Sequence, residues 1–237
     1  MFFKKIDFAK YYRFQGRRIS KKLSPTKVEL YKKFYNLYSF DDEIIQYLES
    51  KKSDFNLKNK HNLKKTVIEV GFGNGENLIK QAKLNPDFFY LGSEVFVNGI
   101  INVLNEIKNN DLKNVNLSQL NFSFLLDIIK PETIDHYYIL NPDPWEKKRH
   151  HKRRLLNREN IIKIYRTLKK EGSITITTDS DSYLNQIELL ITLNSGSFDF
   201  IQIQEMKAED PLYGSTNYQR KAIANKKKIY KIQISKN

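Results

Sequence analysis

From Lys64 onward, short β-branched and aromatic runs alternate with stretches of helical period. This alternation constrains the fold more than any single motif. Strands separated by helices are joined by right-handed crossovers into a mainly parallel sheet with helices on both faces. Thr66–Val70, Phe88–Gly92, Val115–Leu120, His136–Leu140 and Ser173–Thr178 read as five strands. Glu76–Leu84, stopped before Pro86, reads as a helix. So does the stretch with Val97, Ile100, Ile101, Leu104 and Ile107 on one face. Phe122–Ile129 and a stretch through Ile161, Ile164 and Leu168, ended at Gly172, follow as helices. Tyr183–Leu193 reads as the last helix, and Phe198–Gln204 and Lys228–Ile234 as closing strands. With no helical pattern between those two, an antiparallel member is expected at the sheet edge. The expected class is α/β, with seven strands.

Residues 63–237 form this domain, and residues 1–62 read as a basic N-terminal arm with short helices. Arg13–Lys22 is a glycine-broken cationic stretch, Asp41–Ser50 a short helix with Ser39 as its cap, and Lys51–Asn62 a linker. Hydrophobic residues make up 40% of the chain, enough to exclude wholesale disorder. The net charge of +14 points to a polyanion or an anionic membrane surface. Part of that excess follows a general richness in Lys, Asn and Ile, so the clustering of charge carries more weight than its total. The absence of cysteine excludes disulfides, thiolate zinc sites and cysteine nucleophiles. His61, His136, His150 and His151 show no metal-ligand spacing, so no metal is expected. No run approaches the ~20 apolar residues of a membrane span, and Met1–Asp7 lacks the apolar core of a signal peptide. A soluble, cytoplasmic protein that does not engage membranes is expected; monomer and homodimer both remain open.

Glu69-Val70-Gly71-Phe72-Gly73-Asn74-Gly75 stands where the first strand turns into a helix. Glycines there let the backbone turn tightly and approach a ligand, and the helix start offers unpaired N–H groups. Glu94 ends the second strand, 23 residues after Gly71, placed to accept from ribose hydroxyls. A dinucleotide fingerprint requires glycine at position 76, where this chain has Glu76. The spacing Gly71, Gly73, Gly75 after an acidic strand residue is instead the usual form in S-adenosylmethionine (AdoMet) enzymes.

Asn141-Pro142-Asp143-Pro144-Trp145 follows the fourth strand and precedes Glu146 to Arg154, a run of eight cationic or histidine residues after one acid. A carboxylate and an indole stiffened by two prolines suit a flat base; the cations suit its phosphates. Together these segments indicate an enzyme acting on a nucleobase in RNA. Arg13, Arg17, Arg18, Lys148, Arg149, Lys152, Arg153 and Arg154 are the expected phosphate contacts.

Five segments in this order carry a specific resemblance: Glu69–Gly75, Gly92–Val95, Asn141–Arg154, Thr177–Asp179 and Thr216–Arg220. Over about residues 64–235 the chain resembles the bacterial tRNA (guanine-N7) methyltransferase family. The resemblance implies a Rossmann-like methyltransferase fold, S-adenosyl-L-methionine as cofactor, tRNA as partner, and methylation of a guanine in the variable loop. It implies Glu69, Gly71, Gly73, Gly75 and Glu94 as cofactor contacts and Asp143 as the acid at the reacting centre, beside the cofactor. Lys147, Asp179, Thr216, Asn217, Tyr218 and Gln219 would contact substrate. Two positions depart from the family pattern. Asn121 stands where an acid usually lies near the adenine, and Gln219 where Glu is common. Two other readings remain: methylation of a different nucleobase atom, and a basic RNA-binding module with a vestigial cofactor loop.

Overall fold

The computed structural model describes residues 23–49, 63–194 and 198–236. Arg13, Arg17 and Arg18 lie outside the described residues. Helices α1 (Pro25–Tyr38) and α2 (Asp41–Glu49) precede β1 (Lys65–Val70), α3 (Glu76–Leu84), β2 (Phe88–Ser93), α4 (Val97–Asn109) and β3 (Val115–Ser118). There follow α5 (Phe122–Ile128), β4 (Ile134–Leu140), a 3₁₀ turn (Lys148–Arg153), α6 (Arg158–Thr167) and β5 (Leu168–Thr178). The chain closes with α7 (Asp181–Thr192), β6 (Phe198–Glu205), α8 (Asn217–Ala224) and β7 (Tyr230–Lys236).

The seven strands form one sheet in the order β3-β2-β1-β4-β5-β7-β6. The first five pair in parallel, and β7 runs antiparallel to both β5 and β6. The crossover through α7 skips one strand position and β7 fills it, so the antiparallel member sits one place in from the edge. From β1 the chain first winds outward to β2 and β3, then returns to β4 on the other side. The carboxyl ends of β1 and β4 are therefore neighbours at a point of reversed winding, where open α/β sheets bind ligands.

Strand periodicity distributes the core. Ile68 and Val70 of β1 join Tyr137, Ile139, Ile174 and Ile176 on one face, under Leu125, Ile161, Ile164 and Ile187. Val67, Tyr90 and Leu117 face the other way, under Leu78, Ile100, Val103, Leu104 and Tyr35. Burial on both faces is what a parallel sheet covered by helices requires.

Three expectations change. First, the stretch read as an arm with short helices contains two helices that pack on the sheet domain, burying Tyr35, Phe40 and Ile44. Ser24 caps α1 by accepting from Lys27 N, and Pro25 opens it. Buried Asp41 accepts from Tyr35 Oη at 2.6 Å, Ser118 Oγ at 2.5 Å and Gln119 N at 3.0 Å, so α2 is clamped to the end of β3. Second, α6 ends at Thr167 and Gly172 lies inside β5, beside a register shift between Ile134 and His136. A Cβ at Gly172 would stand 2.8 Å from Lys169 O and 3.1 Å from Ile134 O, so glycine here marks a close backbone approach in a strand. Third, α8 lies between the last two strands. It is only eight residues long, too short for a periodicity to show.

Candidate active site

The loop after β1 holds Gly71, Gly73 and Gly75 at φ +68°, +55° and +79°, a region that side-chain-bearing residues rarely adopt. A Cβ on Gly71 or Gly73 would meet nothing within 4 Å, so the loop backs onto open space. A Cβ on Gly99 would lie 1.8 Å from Gly73 O, so a bare first turn of α4 is what lets that helix start against the loop. Glu94 joins the two strand ends: its carboxylate accepts from Gly73 N at 2.8 Å, Val95 N at 2.6 Å and Phe96 N at 2.9 Å. Burial pushes its pKa up against those three hydrogen bonds.

Glu69 is buried in β1 and accepts from Asn77 Nδ2 at 2.8 Å. Burial pushes its pKa up from 4.5 to about 8, with the charge of Glu94 adding to the rise. The folded chain thus holds a proton that the unfolded chain releases above about pH 4.5. Stability from this group is present below that pH and lost as pH rises through about 8, by roughly 4–5 kcal/mol in all. Glu69→Gln is expected to remove that decline in urea unfolding measured from pH 5 to 8; an unchanged slope would assign it to another group.

The loop after β4 is shaped at both ends. Asn141 and Trp145 take φ of 48° and 46°, and Pro142 and Pro144 fix φ between them. Asn tolerates the left-handed region; Trp does so at a cost of roughly 1–3 kcal/mol. Trp145 is held edge-on by His150, with ring centroids 5.9 Å apart, and by the Arg153 guanidinium 5.0 Å from its ring. Asn141 N donates to Thr177 O at 2.9 Å and Asn141 Oδ1 accepts from Thr177 Oγ1 at 2.8 Å. Asn141 Nδ2 is buried without a hydrogen-bond partner among the described residues. Asp143, between the prolines, is exposed, and partial desolvation raises its pKa.

The charge of Asp143 reaches Glu94, Tyr218 and Tyr183, and that of Glu94 also reaches Tyr218, raising each group's pKa. Glu94 after β2, Asp143 in the loop after β4 and Tyr218 at the start of α8 therefore lie within electrostatic reach of one another. Glu76, at the position where a dinucleotide fingerprint has its third glycine, fastens α8 there. Its carboxylate accepts from Asn217 N at 2.7 Å and pairs with Arg220. Thr216 caps α8 by accepting from Gln219 N at 3.2 Å, and Tyr218 is exposed. Asn121 caps α5 beyond β3, its Oδ1 accepting from Ser123 N at 2.9 Å. Asp179, at the end of β5, accepts from Lys227 Nζ at 3.1 Å and lines an adjoining cavity of about 370 Å³ with Glu146, Ser182 and Lys228.

Lys147, Lys148, Arg149, Lys152 and Arg153 are exposed on and before the 3₁₀ turn. Two expected contacts are corrected. Arg154 is 2% exposed, and its guanidinium is engaged inside the fold, so it does not face RNA phosphates. Gln219 is fully buried: Oε1 accepts from Ser215 N at 3.2 Å and Nε2 donates to Thr177 Oγ1 at 3.4 Å. Its amide shapes the segment and is not presented to a substrate. Sequence reasoning missed Glu76 as the anchor of α8; its departure from the glycine fingerprint was the available signal.

Strand order and glycine loop define the Rossmann-like methyltransferase class. Solved structures agree on the fold: a 16S rRNA methyltransferase, KamB, superposes with TM-score 0.59 at 11% identity, over 84% of this chain and 95% of that one. An antibiotic-related methyltransferase gives 0.54 at 19% identity, over 91% and 96%. Residues 63–232 match the family described as putative methyltransferase, and the chain belongs to that family. A tRNA (guanine-N(7)-)-methyltransferase of Zymomonas mobilis is 35% identical over 162 residues, 65% of this chain and 68% of that protein. The counterpart from Roseobacter denitrificans is 31% identical over 156 residues, 66% and 67%. A bifunctional methyltransferase of Rickettsia prowazekii is 35% identical over 208 residues, 88% of this chain but only 37% of that longer protein.

Proposed function

We propose that this chain transfers a methyl group from AdoMet to N7 of a guanine in the tRNA variable loop. The reading is supported by the neighbouring carboxyl ends of β1 and β4, from which the glycine and Asp143 loops leave, and by Glu94, Asp143 and Tyr218 lying within electrostatic reach of one another. When bound, AdoMet supplies a methyl carbon made electrophilic by its sulfonium. The open space over Gly71 and Gly73 admits such a group against bare backbone. Glu94 spends three of about four carboxylate acceptor sites on backbone N–H groups and keeps one for a ribose hydroxyl. Glu69 and Asn121 complete the proposed cofactor contacts.

Guanine N7 carries a free lone pair and needs no base to deprotonate it. The chain's work is therefore alignment, which supplies up to ~7–11 kcal/mol. Asp143 holds the guanine by its N1–H and amino edge and stabilises the positive charge that appears on the purine as the methyl arrives. Lys147, Asp179, Thr216, Asn217 and Tyr218 border the base and its flanking nucleotides. The decisive test is incubation with labelled AdoMet and unmodified tRNA, followed by nucleoside analysis and cleavage specific for 7-methylguanosine. Label in a different nucleoside would move the reaction to another atom, and no transfer would leave an RNA-binding module.

Lys148, Arg149, Lys152 and Arg153 bind phosphates, so tRNA affinity falls steeply with salt. Replacing Lys148 and Arg149 together with Ala is expected to lower the slope of log K against log salt by about two. Titrations between 50 and roughly 200 mM salt measure it; an unaltered slope removes both from the RNA footprint. Among the described residues, no helix is long and apolar enough to cross a membrane, and no group of three or more His, Cys, Asp or Glu is placed to hold a metal.

A further inference from the structure

We propose that Arg154 is a positioning residue for the reacting loop: from inside the fold it ties the Asp143–Trp145 segment to the first turns of α7, and so sets where the Asp143 carboxylate stands. Its Nε donates to Pro144 O at 2.7 Å, the carbonyl between Asp143 and Trp145. Nη1 donates to Ser182 O at 3.1 Å and Gln186 Oε1 at 2.7 Å, and Nη2 to Ser182 Oγ at 2.8 Å. Four of the five guanidinium N–H groups are thus used, all between one loop and one helix.

The guanidinium also lies 4.8 Å from the Tyr183 ring, whose hydroxyl accepts from Leu156 N at 2.9 Å and feels the charge of Asp143. Of the carboxylates, Glu146 reaches Arg154 through its charge. A buried cation is costly unless its hydrogen bonds are satisfied, and at 2% exposure those of Arg154 are spent holding one loop against one helix. Lysine cannot replace it, because an ammonium lacks the planar fork that reaches Pro144 and α7 together. The exposed residues immediately before it belong to the proposed phosphate-binding turn, so the clamp also joins that turn to the reacting loop.

This inference rests on Asp143 as the acid at the reacting centre. Its test uses the full chain with Arg154→Lys, and Gln186→Leu as a milder cut of the same clamp should the first variant not fold. Trp145 is the chain's one tryptophan and reports on the loop directly. In Arg154→Lys, kcat for tRNA methylation is expected to fall at least tenfold, with KM for tRNA and the salt slope changed less than twofold. Acrylamide quenching of Trp145 is expected to rise. Gln186→Leu gives the same pattern at smaller amplitude. Unchanged kcat and quenching in folded variants would overturn the proposal, as would a raised KM and shallower salt slope at normal kcat, the signature of a phosphate contact. If the parent chain transfers no methyl group, the reading of Asp143 fails; the quenching experiment still tests the clamp, since it needs no turnover.

Discussion

Asp143→Asn is expected to lower kcat for tRNA methylation by about 10²–10³-fold, the usual consequence of removing one preorganised electrostatic partner of a transition state. The substitution keeps the shape of the side chain and one acceptor oxygen, so the loop between Pro142 and Pro144 has no reason to move. What disappears is the negative charge opposite a purine that becomes cationic. The effect belongs on the chemical step, and single-turnover measurement with saturating AdoMet isolates it. A pH signature accompanies it. Desolvation raises the Asp143 pKa, so the wild-type chain loses activity as pH falls through that raised value, and the variant lacks this acidic limb. Near-normal turnover in Asp143→Asn would remove the carboxylate from the mechanism.

Glu94→Ala is expected to weaken AdoMet binding by about 100-fold, close to 3 kcal/mol. Two losses add. A charge-assisted hydrogen bond to a ribose hydroxyl is worth roughly 1.5–3 kcal/mol. The N–H groups of Gly73, Val95 and Phe96 also lose their common acceptor, which loosens the loop that must carry the cofactor. Glu94→Gln retains one oxygen and should lose only about tenfold. Calorimetry on the purified chain measures both. Undiminished AdoMet affinity in Glu94→Ala would detach the loop from cofactor binding and favour the vestigial-loop reading.

The two central loops are legible in the sequence because their chemistry is local. Glycines at 71, 73 and 75 permit a left-handed turn that other residues resist, and two prolines around Asp143 stiffen any chain. The five parallel strands were readable as short β-branched and aromatic runs, except that the first half of β5, residues 168–172, reads as the end of a helix. Helix α1 was not, although Ser24-Pro25 is a helix-start signal, because its aromatic face finds meaning only against α4 and β3. Arg154 was misread for a related reason. In sequence it is the last member of a cationic run, and nothing local distinguishes it from Arg153, which stays exposed beside Trp145. Gln219 likewise sits in a motif-bearing segment, yet its amide turns inward to Thr177, 42 residues earlier.

Sequence alone determined the alternation of elements, the bare backbone of the first loop and the rigid acid-bearing second loop, because each depends on residues within a turn of one another. Only the tertiary structure decided that these loops leave neighbouring strand ends, that Glu76 anchors α8, and that Arg154 and Gln219 turn inward. Those outcomes depend on strand order and on contacts between residues far apart in the chain, where a side chain's neighbours, and not its type, determine its role.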